Sequence, residues 1–462
     1  MTVPGLQNLG NTCFFNAILQ ALASLSSVHE YLEDIVQSER AGKCDIAFTS
    51  TLLDCLDALA PRESSSVVAP RVLNAELTHQ LSYFRGNKQQ DAQELLQFIF
   101  KLVSGEQRRC IVQDRGLLDL ISDNVSISSS ISELRLSQAV NERSWNPFQG
   151  LQVNVLQCTR CNCFRPLMNQ PFLDVSLSLV TPGGKNVSRL IDALQLYTAN
   201  EVIKDVDCSI CSVKHELKAA KEEYTQALEE IKACNTNGAV STNRREHDDW
   251  IDTLEHFANF STNFDLQELP RPIPRSQGDC IKRLLFSRSP DVLCFHLNRK
   301  MYMKRGGAIK LETFIEFPLE LDMKEFCQFE INGNDDQCSS SKSEWAFKQQ
   351  SQASMFLSFS ETLKQHSLLY VLTAVILHHG NERSGHFTAY RRVSNLQWSF
   401  VSDDTVREVP VAEVLKSCAY MLFYERKSRT QQIARSSETE EMTDDDDDDH
   451  LLDFPFGPDF ML

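Results

Sequence analysis

Asn8-Leu9-Gly10-Asn11-Thr12-Cys13-Phe14-Phe15-Asn16 is a polar, glycine-bearing turn running into an apolar pattern. Phe14, Phe15, Ile18, Leu19 and Leu22 recur at the i, i+3, i+4 spacing of one buried helix face. In this reading Thr12 or Asn11 caps the helix, which sets the Cys13 thiol at the positive end of its dipole. A thiolate there is stabilised and becomes a usable nucleophile near neutral pH. Most cysteines of an intracellular chain are inert packing residues, so a catalytic one needs partners elsewhere.

Partners of the right type lie far downstream. A cysteine nucleophile requires a base and a group that orients the base. Ser384-Gly385-His386-Phe387-Thr388-Ala389-Tyr390 offers His386 at a loop-to-strand junction, where Gly385 leaves room for a substrate backbone. Trp398-Ser399-Phe400-Val401-Ser402-Asp403-Asp404 then supplies orienting groups at the end of the next strand. Taken alone, an Asp-Asp pair after a strand is an ordinary turn.

Composition narrows the class. The 462 residues suffice for one large domain with insertions or for two or three smaller ones. A net charge of −17 leaves no basic surplus for phosphates, which excludes nucleic acid as the main partner and suits a basic contact surface. Fifteen cysteines in a long chain do not form a secreted disulfide framework; they fit a reducing compartment with catalytic or metal-binding roles for some. Met1-Thr2-Val3-Pro4 does not open a secretory signal, and the apolar run Leu368 to Leu377 is too short to span a bilayer and reads as a buried strand.

Along the chain, residues 41–104 read as helices, the clearest following Gln89-Gln90-Asp91-Ala92 with Leu95, Leu96, Ile99, Leu102 and Val103 on one face. Residues 122–144 read as an exposed connection, and 172–179 as one half-buried strand. A short helix passes through Leu190, Leu194 and Leu196, and an exposed inserted helix covers 214–233. Strands follow at 291–297, 314–317, 369–378, 387–392, 398–401 and 419–425, with a serine- and glutamine-rich loop at 332–366. Two C-x-x-C pairs, Cys158/Cys161 and Cys208/Cys211, either close one tetrahedral structural zinc site or stay as two reduced pairs, their separation exceeding usual zinc-ribbon spacing. Cys163 competes for a ligand position. Beyond Arg426 a polar tail leads to six consecutive aspartates, 444–449, and a segment with Phe454, Phe456 and Phe460; it reads as a solubilising tail or as a docking motif.

These segments together resemble the ubiquitin-specific proteases. The likeness rests on Gly5 to Cys13, Gln89-Gln90-Asp91-Ala92, Gly385 to Tyr390, Trp398 to Asp404 and Leu422-Phe423-Tyr424-Glu425-Arg426, in the expected order over the whole globular part. Val401-Ser402-Asp403-Asp404-Thr405-Val406-Arg407 is similar to the signature of the family's mitochondrial member. The resemblance implies an α+β, papain-like cysteine peptidase of fingers-palm-thumb design. It places a catalytic domain at 1–426 (thumb to about 145, palm and fingers after it, insertions at about 212–280 and 332–366) and an acidic disordered tail at 427–462. It implies a thiol-dependent deubiquitinase with Cys13 as nucleophile, His386 as base, Asn8 with the Cys13 N–H as oxyanion donors, and Ser402 or Asp403 orienting the histidine. Most of the family has Asn or Asp where this chain has Ser402, so a catalytically silent ubiquitin-binding adaptor is the alternative. Gln89, Asp91 and Gly385 would hold the tail of ubiquitin, and Cys158, Cys161, Cys208 and Cys211 a structural zinc, with no catalytic cofactor. The implied partners are ubiquitin, ubiquitinated proteins and polyubiquitin chains. The implied location is the cytosol for the chain as given, or the cytosolic face of the mitochondrial outer membrane if an N-terminal anchor is missing from it.

Overall fold

The computed structural model describes residues 2–39, 45–64, 66–85, 90–114, 145–234, 241–259, 264–302, 307–327, 368–381, 384–394 and 397–427. Gln89, the connection at 122–144, the loop at 332–366 and the tail beyond Lys427 lie outside them.

The first part of the chain is a helical layer: α1 (Cys13–Leu22), α2 (Ser26–Glu39), α3 (Ala47–Ala58), α4 (Arg71–Gln80) and α5 (Ala92–Asp114). All ten residues of α1 are buried, not one face alone, so the polar Asn16 and Gln20 are buried too. The expected side-chain cap of α1 does not form: the Thr12 hydroxyl accepts from the Leu9 N–H (2.9 Å) and faces the Asn8 carbonyl oxygen (3.3 Å) instead. Helix α3 also starts without a cap of its own, after Ile46. Glu106, on α5 and 1 % exposed, supplies it by accepting from the N–H groups of Phe48 (3.1 Å) and Thr49 (2.8 Å) and from the Thr49 hydroxyl (2.6 Å). Glu106→Ala would leave these donors buried and unpaired, and is expected to destabilise the fold by about 2–4 kcal/mol in chemical denaturation, with Glu106→Gln recovering part of it.

Short strands β1 (Gly5–Leu6) and β2 (Val67–Val68) pair in parallel beside these helices. The chain then builds β3 (Gly150–Cys158), β4 (Phe164–Phe172), β5 (Val175–Ser178), helix α6 (Leu190–Tyr197), β6 (Glu201–Asp207), a hairpin of α7 (Ser209–Cys234) and α8 (Ser241–Ala258), and β7 (Gln277–Arg288). It continues through β8 (Val292–Asn298), β9 (Lys300–Tyr302), β10 (Ala308–Lys310) and β11 (Glu320–Asp322) to β12 (Leu369–Gly380), β13 (Gly385–Arg392), β14 (Trp398–Ser402), β15 (Thr405–Val409) and β16 (Ala419–Arg426). The main sheet runs β15-β14-β13-β12-β16-β8-β5 with β11 also on β12, and a second sheet runs β4-β3-β7-β6.

Both faces of the main sheet are covered. Val292, Cys294, Ala374, Ile376, Met421 and Phe423 pack with the helices, while their neighbours Leu293, Phe295, Val375, Leu377, Leu422 and Tyr424 pack into a separate core on the other side. Strand alternation with both faces buried yields continuous apolar runs, which is why these strands stood out. The helical layer, two-faced sheet and projecting four-stranded sheet are the expected thumb, palm and fingers.

Some expectations fail for local reasons. The run 172–179 is broken: β4 ends at Phe172 and β5 begins at Val175, because Asp174 turns to accept from Gln93 (2.9 Å) and Gln97 (2.7 Å) of α5. Residues 314–317 are not a strand; only Glu316 bridges, to Arg189. The inserted helix begins at Ser209 and is not solitary, since Val213 and Ala220 pack on Trp250, Leu254 and Phe257 of α8.

Candidate active site

Helix α1 delivers Cys13 to the edge of the palm. The thiol is 4 % exposed, and the backbone N–H of Phe387 hydrogen-bonds its sulfur. Phe387 directly follows His386 on β13, so the strand that carries the imidazole runs against Cys13 although 373 positions separate Cys13 and His386 in the sequence. Burial pushes the Cys13 thiol above its ordinary range; the Phe387 N–H works against that and the Asp403 charge adds to it. Burial, the largest of these effects, works against the stabilised thiolate expected from the helix terminus.

His386 sits in the hairpin β12–β13, opposite His379. Its Nε2 lies 2.8 Å from Ser402 Oγ, at the end of β14. A Cβ at Gly385 would fall 2.1 Å from the His379 carbonyl oxygen, so bare backbone is what lets the two strands close here. Asp403 does something else. Its carboxylate accepts from Asn8 Nδ2 and from Asn16 Nδ2, each at 2.8 Å. The Asn8 side-chain oxygen in turn accepts from the N–H groups of Gly10 (2.9 Å) and Thr12 (3.2 Å), so that these bonds tether its oxygen while the Asp403 bond directs its amide nitrogen. Asp403 is itself held in the left-handed region (φ 52°), where its carbonyl accepts from the Leu6 N–H at 2.8 Å. A Cβ on Gly5 would meet the Asp404 backbone at 2.6 Å, so the glycine permits this close approach. Asn16 was not among the sequence candidates; its signal was a carboxamide one turn after Cys13 inside an apolar helix.

A cleft of about 270 Å³ leads away between thumb and palm, lined among others by Asp91, His296, Lys310, His378, Phe387 and Tyr420. Asp91 accepts from the Tyr420 hydroxyl (2.6 Å) and from the Gln93 N–H (2.7 Å), the latter capping α5. Burial, then the Lys310 charge, holds the His378 imidazole down at about 4, and burial likewise depresses His296 and His379. Each binds a proton less readily folded than unfolded, so stability is intact above about pH 6.5 and is lost as pH falls toward the folded values. The melting temperature is expected to drop by several degrees between pH 7 and 5, and His378→Gln to shallow that slope, by thermal denaturation.

At the far end of the fingers, Cys158 and Cys161 leave β3 in a tight turn, and Cys208 and Cys211 flank the start of α7. All four sulfurs lie within 4.8 Å of one another. The Cys158–Cys211 and Cys161–Cys208 separations are 3.7 and 3.5 Å, against the about 3.8 Å expected between ligands of one tetrahedral zinc. The donor set and spacing fit a structural metal.

The family model described as ubiquitin carboxyl-terminal hydrolase matches residues 4–424. The chain belongs to the ubiquitin carboxyl-terminal hydrolase family. This hydrolase is a cysteine-type deubiquitinase, and ubiquitin is its ligand. It is 28 % identical to ubiquitin carboxyl-terminal hydrolase 30 of Xenopus tropicalis, over 92 % of this chain and 81 % of the relative. It is 29 % identical to ubiquitin carboxyl-terminal hydrolase 27 of Arabidopsis thaliana, over 92 % and 85 %. The SAGA DUB module bound to ubiquitin aldehyde contains a chain of the same fold, with TM-score 0.56 and 21 % identity over 93 % of this hydrolase and 70 % of that chain.

Proposed function

We propose that Cys13, His386, Ser402 and Asn8 carry out the hydrolysis, with Asp403 as the positioning residue. Cys13 sulfur attacks the carbonyl of ubiquitin's terminal glycine while His386 takes up the thiol proton. With Nε2 on Ser402, Nδ1 is the nitrogen that receives it. The oxyanion is held by the second amide N–H of Asn8 and the backbone N–H of Cys13. Collapse forms a thioester and releases the lysine amine with a proton from His386; water, deprotonated by the same imidazole, then frees the ubiquitin carboxylate. Ser402 accepts the Nε2–H and fixes the tautomer without supplying a charge. The observation that carries this reading is the 2.8 Å His386–Ser402 contact beside a Cys13 sulfur bonded to the Phe387 N–H.

Asp91 and Gln89 would receive the basic tail of ubiquitin, and Gly385 would border its Gly-Gly end. Cys158, Cys161, Cys208 and Cys211 would hold zinc, which stiffens the tip of the fingers and takes no part in bond cleavage. Residues 1–426 act as one catalytic unit on ubiquitinated proteins and polyubiquitin, with the acidic tail outside it. The likeness to ubiquitin carboxyl-terminal hydrolase 30 supports a site of action at the cytosolic face of the mitochondrial outer membrane. Among the described residues no helix is long and apolar enough to cross a membrane.

The deciding experiment is a ubiquitin probe with a C-terminal electrophile, followed by peptide mapping. One adduct on Cys13, absent from Cys13→Ala, is expected. Folded wild-type protein that binds ubiquitin yet never labels would overturn the assignment in favour of an adaptor.

A further inference from the structure

The fingertip holds more sulfur than one metal ion can use. The turn after β3 closes with the Asn162 N–H on the Cys158 carbonyl (3.0 Å) and the Cys158 N–H on the Cys163 carbonyl (3.0 Å), with Asn162 in the left-handed region at φ 57°. That geometry sends three thiols from one turn toward α7. Cys163 Sγ lies 3.4 Å from Cys208 Sγ, as near as Cys161 Sγ at 3.5 Å. The two differ in setting: Cys163 is 5 % exposed inside the cluster, while Cys161 is on its half-buried rim. A tetrahedral ion accepts four sulfurs, so Cys161 and Cys163 compete for one position.

We propose that Cys163 is an alternate metal ligand that replaces Cys161, so that the ion is held either by Cys158, Cys161, Cys208 and Cys211 or by Cys158, Cys163, Cys208 and Cys211. The exchange is balanced within the cluster. One metal–sulfur bond to Cys161 breaks, one to Cys163 forms, and the proton on Cys163 passes to Cys161. No oxidant is involved. The consequence is a fingertip that keeps its ion when the rim thiol is alkylated or lost. This inference rests on reading the cluster as a zinc site.

The test uses the full chain purified with zinc, measuring metal per chain, affinity by chelator competition and the cobalt-substituted spectrum. About one zinc per wild-type chain is expected; none would sink the zinc reading itself, before the exchange is at issue. Cys161→Ser and Cys163→Ser should each keep one ion, weakened less than about tenfold, with a four-sulfur cobalt spectrum. The double variant should lose far more than the ~10–100-fold typical of a missing outer-shell partner. Should the double variant fail to fold, the two single variants decide. Cys161→Ser losing its metal or showing a three-sulfur spectrum would overturn the proposal. So would loss of metal in Cys161→Ser/Cys280→Ser but not in Cys161→Ser/Cys163→Ser, because Cys280 faces Cys158 across β3 and β7 and would then be the reserve.

Discussion

His386→Ala is expected to lower kcat/KM for a ubiquitin fusion by about 10²- to 10⁴-fold at pH 7, the range a general base contributes. The size follows from the state of the nucleophile. Burial raises the Cys13 thiol above its ordinary range and so disfavours the reactive thiolate unless an adjacent base takes the proton. The pH profile makes the expectation specific. Residual activity of His386→Ala should climb about tenfold per pH unit, because hydroxide then has to form the thiolate, whereas the wild-type profile levels off. Ser402→Ala removes a neutral hydrogen bond and is expected to cost only about tenfold. A His386 variant within tenfold of wild type, or one whose deficit stays constant with pH, would show that the imidazole is not the base.

The parts of this arrangement that the sequence made legible are those written in short windows. Helix α1 and strands β8, β12 and β16 carry apolar periodicity dense enough to survive any context, and Cys13, His386 and the Ser402–Asp403 pair occupy sharply bounded segments. What stayed hidden depends on distant partners. Strands β3, β4, β6 and β7 alternate weakly, because the fingers bury only small clusters such as Val153, Val155 and Leu285. Helix α8 is polar over much of its length and gains its apolar face only by pairing with α7. The break at Leu173–Asp174 is set by two glutamines on α5, some eighty positions earlier, which no local pattern encodes. Asn16 and Gln20 illustrate the most useful missed signal. Polar residues one turn apart inside a wholly buried helix must find partners, and here they find Asp403 and Arg391, from the segments flanking the candidate base and its orienting group.

Asp403→Ala is expected to reduce kcat/KM about 10²- to 10³-fold, the cost of losing an oxyanion donor, although its carboxylate is bonded to neither Cys13 nor His386 by any contact described above. The carboxylate accepts one N–H from Asn8 and one from Asn16, and these two charge-assisted bonds set the direction of the Asn8 amide. Without them Asn8 is tethered only through its carbonyl oxygen and can swing its remaining N–H away from the developing charge. The effect belongs to kcat, with KM little changed, since the donor works on the transition state. A double-mutant cycle separates this from the other role open to Asp403. If it positions Asn8, Asp403→Ala in an Asn8→Ala background should cost little more, while Asp403→Ala and Ser402→Ala should be close to additive. The shape of the pH profile should also stay that of wild type. If Asp403 instead serves the imidazole, the coupling moves to Ser402 and the acid limb of the profile shifts. The geometry favours the first outcome because both carboxylate oxygens are already engaged by amides, whereas the free side of His386 Nε2 is already closed by Ser402.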